Sequence, residues 1–380
     1  MIATTSRYQP KSRWQENSLL HLDWPLLIGL GILAVVGLFT IYSAGNQNVD
    51  IVISQATRLG IGFVAMLLVA QLNLLNWTRW IPWLYLTGVI LLIAVLIVGD
   101  SGKGAQRWLD LGFVRFQPSE LMKLLMPMMV AWFLSDRPLP STLSRIGLSL
   151  IIIIVPTALI TVQPDLGTSL LIAASGIFVV LMSGLSWRII AACFVGGVSM
   201  IAIALFTPVL TYILQPYQVQ RVNTFLNPEA EPLGAGYHII QSKIAIGSGG
   251  LYGKGWLNGT QSNLAFLPER TTDFIFAVFS EEFGLVGVAL LLTVYFGLIS
   301  RGLYIAVSAQ NTFERLLAAT ITLTFFVYLF VNIGMVSGIL PVVGVPLPLI
   351  SFGGTSMVTI LMGFGLLMSI HTHKRLLSAQ

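Results

Sequence analysis

The residues best able to do chemistry in this chain are charged groups set among apolar neighbours. In LAFLPERTTDFIFAVFSEEFG, Asp273 is the last polar residue before a long apolar run, and Arg270 stands three positions ahead of it. A carboxylate at such a border, with a cation close by, is well placed as a general base. It can equally cap a helix that starts at Phe274. In QPSELMKLL, Glu120 and Lys123 share one face of a helix. Pairing lowers the cost of burying them, and the pair either forms a structural bridge or lines a polar cavity. Asp165, in TVQPDLGTSL, lies in a tight turn between two apolar runs, as a binding residue or as the cap of the next helix. Glu281 and Glu282 point about 100° apart on a helix, so one faces the interior. Arg58 lies about two turns into another apolar run, where it snorkels or pairs. Ionisable groups in apolar spans are costly and point to function by default.

The elements that position these groups follow from composition. The chain is 56% hydrophobic and 9% charged, against about 25% charged in a soluble domain. Such a chain cannot cover its own surface with charge, so lipid must cover it. Stretches such as 148–161 and 169–182 carry no charge at all, and a bilayer core needs about 20 such residues per helix. Apolar runs and their breakers predict spans near 24–44, 52–72, 80–98, 117–134, 146–162, 167–184, 189–213, 274–299, 316–338 and 350–371. This is an all-α polytopic membrane protein of about ten transmembrane helices. The polar, basic residues 1–23 read as a tail rather than a signal peptide, residues 24–371 as one membrane domain, and 372–380 as a second tail. An even number of spans places both tails on one side. Eleven of the 20 Lys and Arg fall on that side and seven on the other, which predicts N-in and C-in. The net charge of +5 is small and gives no reason to expect a nucleic-acid partner, and Cys193, the one cysteine, can form no internal disulfide.

The seven basic residues expected outside are informative. Arg107 and Arg115 flank a short loop with Lys103, while Arg221, Lys243, Lys254 and Arg270 lie in the long segment 215–273 between helices 7 and 8. Cations kept outside against the topological preference suggest an anionic ligand. Within 215–273, GYHIIQSKIAIG suits a helix at the membrane surface. The glycine-rich GSGGLYGKGWLNGT lets backbone N–H groups approach an anion, although it lacks the spacing of a phosphate-binding P-loop.

GAQRWLDLG with RFQPSELMK, then QPDLGTSL, then GSGGLYGKGWLNGTQSNLAFLPERTTDFIFAVFSEEFG, then GILPVVGVPLPLISFGGTS together resemble the SEDS family, on its elongation branch. The likeness covers nearly the whole chain, in order and with matching spacing. It implies a glycosyltransferase of the bacterial inner membrane that polymerises lipid II, a disaccharide–pentapeptide on undecaprenyl pyrophosphate, and works with a class B penicillin-binding transpeptidase. The family's catalytic aspartate, in P-E-x-x-T-D-F, falls on Asp273; Thr271 stands where the family often has histidine. Asp273 is then the base for the acceptor hydroxyl. Arg107, Arg115, Glu120, Lys123, Asp165, Lys243, Lys254 and Arg270 are the candidates for binding substrate. No organic cofactor is implied, and a divalent cation, Mg or Mn, could share the phosphate charge. A lipid-precursor flippase and a scaffold that only recruits the transpeptidase are the competing readings. GILPVVGVPLPLISFGGTS is expected as a rigid outer loop before the last span, its prolines and glycines serving backbone geometry rather than binding.

Overall fold

Caps and prolines set where the helices begin. Asp23 accepts the Leu26 N–H at 3.1 Å and a proline follows in the first turn of α1, Trp24–Ala44. Asn48, Asp165 and Asn311 cap later helices in the same way. A computed structural model of the chain describes residues 21–102, 105–110, 115–206, 216–230, 236–260 and 269–373. After α1 come α2 (Val49–Gln71), α3 (Ile81–Val98), α4 (Pro118–Ser135), α5 (Leu143–Val162), α6 (Leu166–Met182) and α7 (Trp187–Phe206). Two shorter helices follow, α8 (Pro216–Leu226) and α9 (Tyr237–Ser248), before α10 (Ile275–Val307), α11 (Thr312–Val336) and α12 (Thr355–Thr372). Most of the expected tails, the end of the predicted span 189–213, and 231–235 and 261–268 of the long segment lie outside the described residues.

The chain is a nearly all-helical, multi-pass membrane protein. Among the described residues seven helices are long and apolar enough to cross a membrane: α1, α2, α3 with the turn before it, α5, α10, α11 and α12. A helix stands at each of the ten predicted places, α6 being shorter at 17 residues and α4 carrying Glu120 and Lys123. Their outer faces are apolar, as Ile53, Ile61, Val64 and Leu68 on α2 show. Between helices in lipid the hydrophobic effect gives little drive, so close packing and polar ties must hold the bundle. Gly365 of α12 supplies such packing, since a Cβ there would sit 2.6 Å from the Met66 carbonyl of α2. At one end of the bundle the fully buried Asp23 receives Arg301 at 2.7 Å and His371 at 3.0 Å, tying α1, α10 and α12 together. Burial alone would raise the Asp23 pKa, but the hydrogen bonds from His371 and Arg301 outweigh it and hold the carboxyl at about 2.

Two features depart from the sequence reading. Residues 100–116 hold a small antiparallel sheet, with β1 (Asp100–Gly102), β2 (Ala105–Asp110) and β3 (Arg115–Phe116) in order. The middle of the proline- and glycine-rich segment, 343–352, does not stay outside. Val345, Leu347, Leu349 and Ile350 are buried, Tyr295 Oη from the middle of α10 donates to the Pro348 carbonyl at 2.6 Å, and the Leu349 carbonyl lies against Gly37 in the middle of α1. It is a re-entrant segment, and α12 begins at Thr355 rather than at 350. Non-helical backbone is tolerated at this depth because protein, not lipid, surrounds it.

Candidate active site

The re-entrant segment and α11 build the site around Asp273. The carbonyls of Thr271, Thr272 and Asp273 are each held: Phe352 N–H donates to the first at 2.7 Å, Ser351 Oγ to the second at 2.6 Å, and Asn332 Nδ2 to the third at 2.9 Å. Asn332 donates its other hydrogen to Val345 O at 2.8 Å, joining both segments to one side chain of α11. Three consecutive backbone groups are thereby fixed just ahead of α10. The cap position of that helix is Phe274, without a side-chain cap bond, so Asp273 stands one residue outside the cap that the sequence offered it. Its carboxylate is half-buried and faces Gly344, where even a Cβ would lie 3.5 Å from Oδ2. Residue 344 has φ +75°, a backbone conformation that favours glycine. The Asp273 carboxylate is thus positioned by its backbone.

The two ion pairs from earlier in the chain lie around the same region. Lys123 bonds Glu120 at 2.8 Å with both side chains buried, and its ammonium lies 5.4 Å from the ring centre of Tyr328. Tyr328 is one turn of α11 from Asn332. A cavity of about 40 Å³ borders Lys123, Thr324, Tyr328 and Thr359, and Glu120 Oε2 has no hydrogen-bond partner among the described residues. Asp165 caps α6 through the Thr168 N–H at 3.2 Å, lies 3.9 Å from Arg107 and accepts from Gln117 at 3.3 Å. Arg107 also donates to the carbonyls of Gln163 and Pro164. Gly167, in the first turn of α6, lies against Val343 O, one residue from Gly344. Asp165 is thus both a cap and a neighbour of the site.

The glycine-rich run has a structural part that its composition concealed. α10 breaks at Gly284, φ +63°, a conformation that disfavours any side chain. Lys254 and Gly255 donate their N–H groups to the carbonyls of Glu281 and Glu282, both at 3.0 Å, and Leu285 and Val286 donate back to Gly250 and Leu251. At Gly253 a Cβ would lie 2.0 Å from the Glu282 carbonyl. The amides at 254 and 255, expected to reach an anion, are spent on this helix break. Lys254 Nζ pairs with Glu281 at 2.7 Å, which also accepts from Thr260 N and Oγ1, each at 2.9 Å. Glu282 accepts from Ser43. Both acids are buried, where the sequence predicted one.

Other expected groups are placed as follows. Lys243 packs over Gly338 at the C-terminal end of α11, to which Ser242 Oγ ties α9 through Val336 O at 2.7 Å. Arg270 is half-buried, and burial lowers its pKa. Arg115 stands on β3 opposite Asp110; its side chain lies outside the described residues. Arg58 stacks over Phe352 at 4.6 Å. Among the described residues no group of three or more His, Cys, Asp or Glu side chains is arranged to hold a metal ion. The reading missed Asn332, although an amide inside FVYLFVNIGMV was a visible signal. His238, to which the sequence alone assigned no role, stacks its ring on Phe274 at 5.6 Å, and burial lowers its pKa.

Known proteins share this arrangement of sequence and fold. The cell cycle protein family that groups FtsW, RodA and SpoVE matches residues 17–376. Peptidoglycan glycosyltransferase MrdB of Escherichia coli K12 is 52% identical over 375 residues, covering 98% of this chain and 99% of its own. A peptidoglycan synthase complex described as coordinating polymerization and crosslinking contains a chain that superposes with a TM-score of 0.78 at 30% identity, covering 93% of this chain and 99% of that one. The rod shape determining protein RodA of Thermus thermophilus superposes with a TM-score of 0.68 at 28% identity, over 92% and 96%. The chain belongs to the FtsW, RodA and SpoVE family of cell cycle proteins.

Proposed function

We propose that this chain is a peptidoglycan glycosyltransferase that polymerises lipid II at the outer face of the bacterial inner membrane during elongation, with Asp273 as its general base. The observation that carries the reading is the clamp on 271–273, which fixes the backbone of this acid at the start of a span and sets its carboxylate beside Gly344 of the re-entrant segment. On a ten-span reading with both termini inside and 215–273 outside, this carboxylate faces the outer leaflet.

The reaction asks for one base and no nucleophile. Asp273 takes the proton from the acceptor sugar hydroxyl as that oxygen attacks the donor's anomeric carbon. The bond to the pyrophosphate oxygen breaks and its electron pair leaves with the polyprenyl pyrophosphate. A single displacement inverts the anomeric centre. Arg107 with Asp165, and Lys123 with Glu120, border the region and supply the polar lining, while Arg115, Lys243, Lys254 and Arg270 belong to the outer segments through which the headgroups pass. An apolar groove of about 470 Å³ between α1 and α10, lined by Val36, Phe39, Trp256, Phe279, Phe283 and Leu290, suits a polyprenyl chain entering from the bilayer. A class B penicillin-binding transpeptidase is the partner that would crosslink the product.

The test is polymerisation of lipid II by purified protein, alone and with that partner. Asp273→Ala should abolish strand formation while leaving folding and partner binding intact. Full polymerisation by the variant would remove Asp273 as the base. Lipid II transport without polymer would favour a flippase, and normal wall assembly by a folded Asp273→Ala complex would favour a scaffold.

A further inference from the structure

The cations nearest the site are mostly committed within the protein. Arg107 is bound to two carbonyls and Asp165, Lys123 to Glu120, and Lys254 to Glu281 and Thr260. Arg58 differs. It lies nine residues into α2, about 14 Å along the axis from its first residue at 1.5 Å per residue. Among the described residues it makes no ion pair and no hydrogen bond, and its one specific contact is the face of Phe352. Stacking occupies the face of the guanidinium and leaves its five in-plane N–H groups available. A cation this far inside a span is costly without a partner.

Its surroundings say where the partner comes from. Arg58 stands at the border between the buried stripe of α2 formed by Gln55, Leu59, Gly62 and Met66 and the exposed face that carries Ile61, Val64 and Leu68. Gln55, three residues earlier, donates to Ser351 O at 3.1 Å and accepts from Gly353 N at 3.3 Å. The segment that Arg58 leans on is therefore the one that clamps 271–273, and Phe352 itself donates its N–H to Thr271. One short piece of backbone thus carries an unpaired guanidinium on one side and the Asp273 clamp on the other.

We propose that Arg58 binds the pyrophosphate of the polyprenyl-linked sugar donor and takes up the charge that develops as this group leaves. The proposal rests on the glycosyltransferase reading and names a residue of that site. A planar fork of donors matches phosphate oxygens in pairs. Ring stacking holds the fork in place before substrate arrives, which reduces what must be ordered on binding. When the anomeric carbon–oxygen bond breaks, the electron pair stays on the phosphate beside Arg58, and the acceptor's proton goes to Asp273.

The experiment uses the full chain in lipid nanodiscs, with undecaprenyl pyrophosphate and phosphatidylglycerol as separate probes. Arg58→Gln should weaken undecaprenyl pyrophosphate binding and slow lipid II polymerisation about tenfold or more, with Arg58→Lys intermediate and phosphatidylglycerol binding unchanged. In the wild type, undecaprenyl pyrophosphate should slow modification of Arg58 by phenylglyoxal, mapped by mass spectrometry, and phosphatidylglycerol should not. This second measurement decides the matter if Arg58→Gln does not fold. The proposal is overturned if a folded Arg58→Gln binds and polymerises as the wild type does, or if Arg58 is not protected. It is also overturned if phosphatidylglycerol alone protects, which would make Arg58 an anchor to phospholipid. Wild type that forms no polymer would instead count against the glycosyltransferase reading.

Discussion

Removing Lys254 should destabilise this protein more than removing the charge of its partner, Glu281. The Glu281 side chain is fully buried, whereas 28% of the Lys254 side chain reaches solvent. Lys254→Met leaves a carboxylate buried without its counter-ion, which costs about 3–5 kcal/mol. Glu281→Gln leaves an ammonium that water can still reach. The amide oxygen can still accept from Thr260 N at the 2.9 Å position, so the loss is about 1–2 kcal/mol. The double variant removes both charges and should fall near Glu281→Gln, giving a coupling energy of about 3–5 kcal/mol. The assay is apparent melting in detergent at one fixed scan rate, followed by tryptophan fluorescence, since the unfolding of such proteins is commonly irreversible. Equal or reversed costs for the two single variants would refute the charge argument and place the stability in the hydrogen bonds alone. Additive losses would show that the pair is not coupled.

Two more outcomes follow from the site. Asn332→Ala strips donors from the buried carbonyls of Asp273 and Val345; it should lower stability by about 2–3 kcal/mol and lower polymerisation by a larger factor than substrate binding, checked by separate kcat and KM measurements. His238 is held below its ordinary pKa chiefly by burial, with Glu269 opposing. The unfolded chain therefore takes up the proton first, and stability falls as pH drops below about 6.5 toward the folded-state value. His238→Gln should flatten that part of the stability-against-pH curve, and an unchanged slope would show that His238 is not its source.

Much of this architecture was legible in the sequence because its cause is local. A run of apolar residues without charge has few options other than a helix in lipid, so the places of the helices follow from composition and breakers. The pairing of Glu120 with Lys123 was legible for a similar reason, since residues three apart on a helix meet whatever surrounds them. Asp165 as a cap needed only its place before α6.

What surrounds Asp273 could not be read in this way. Its clamp joins it to Asn332, Ser351 and Phe352, residues 59 to 79 positions away in the chain, and no local pattern encodes such contacts. A run rich in proline and glycine reads the same outside the bilayer or inside it; only burial against Gly37 and Tyr295 makes 343–352 re-entrant. The glycines of 249–255 signalled close backbone approach, and tertiary structure decided that they approach a broken helix rather than an anion. Composition and local patterning are enough for a polytopic membrane protein with an acid at the edge of a span. Which charges are paired off internally, and that Arg58 is left for a ligand, follow from packing between segments far apart in the chain.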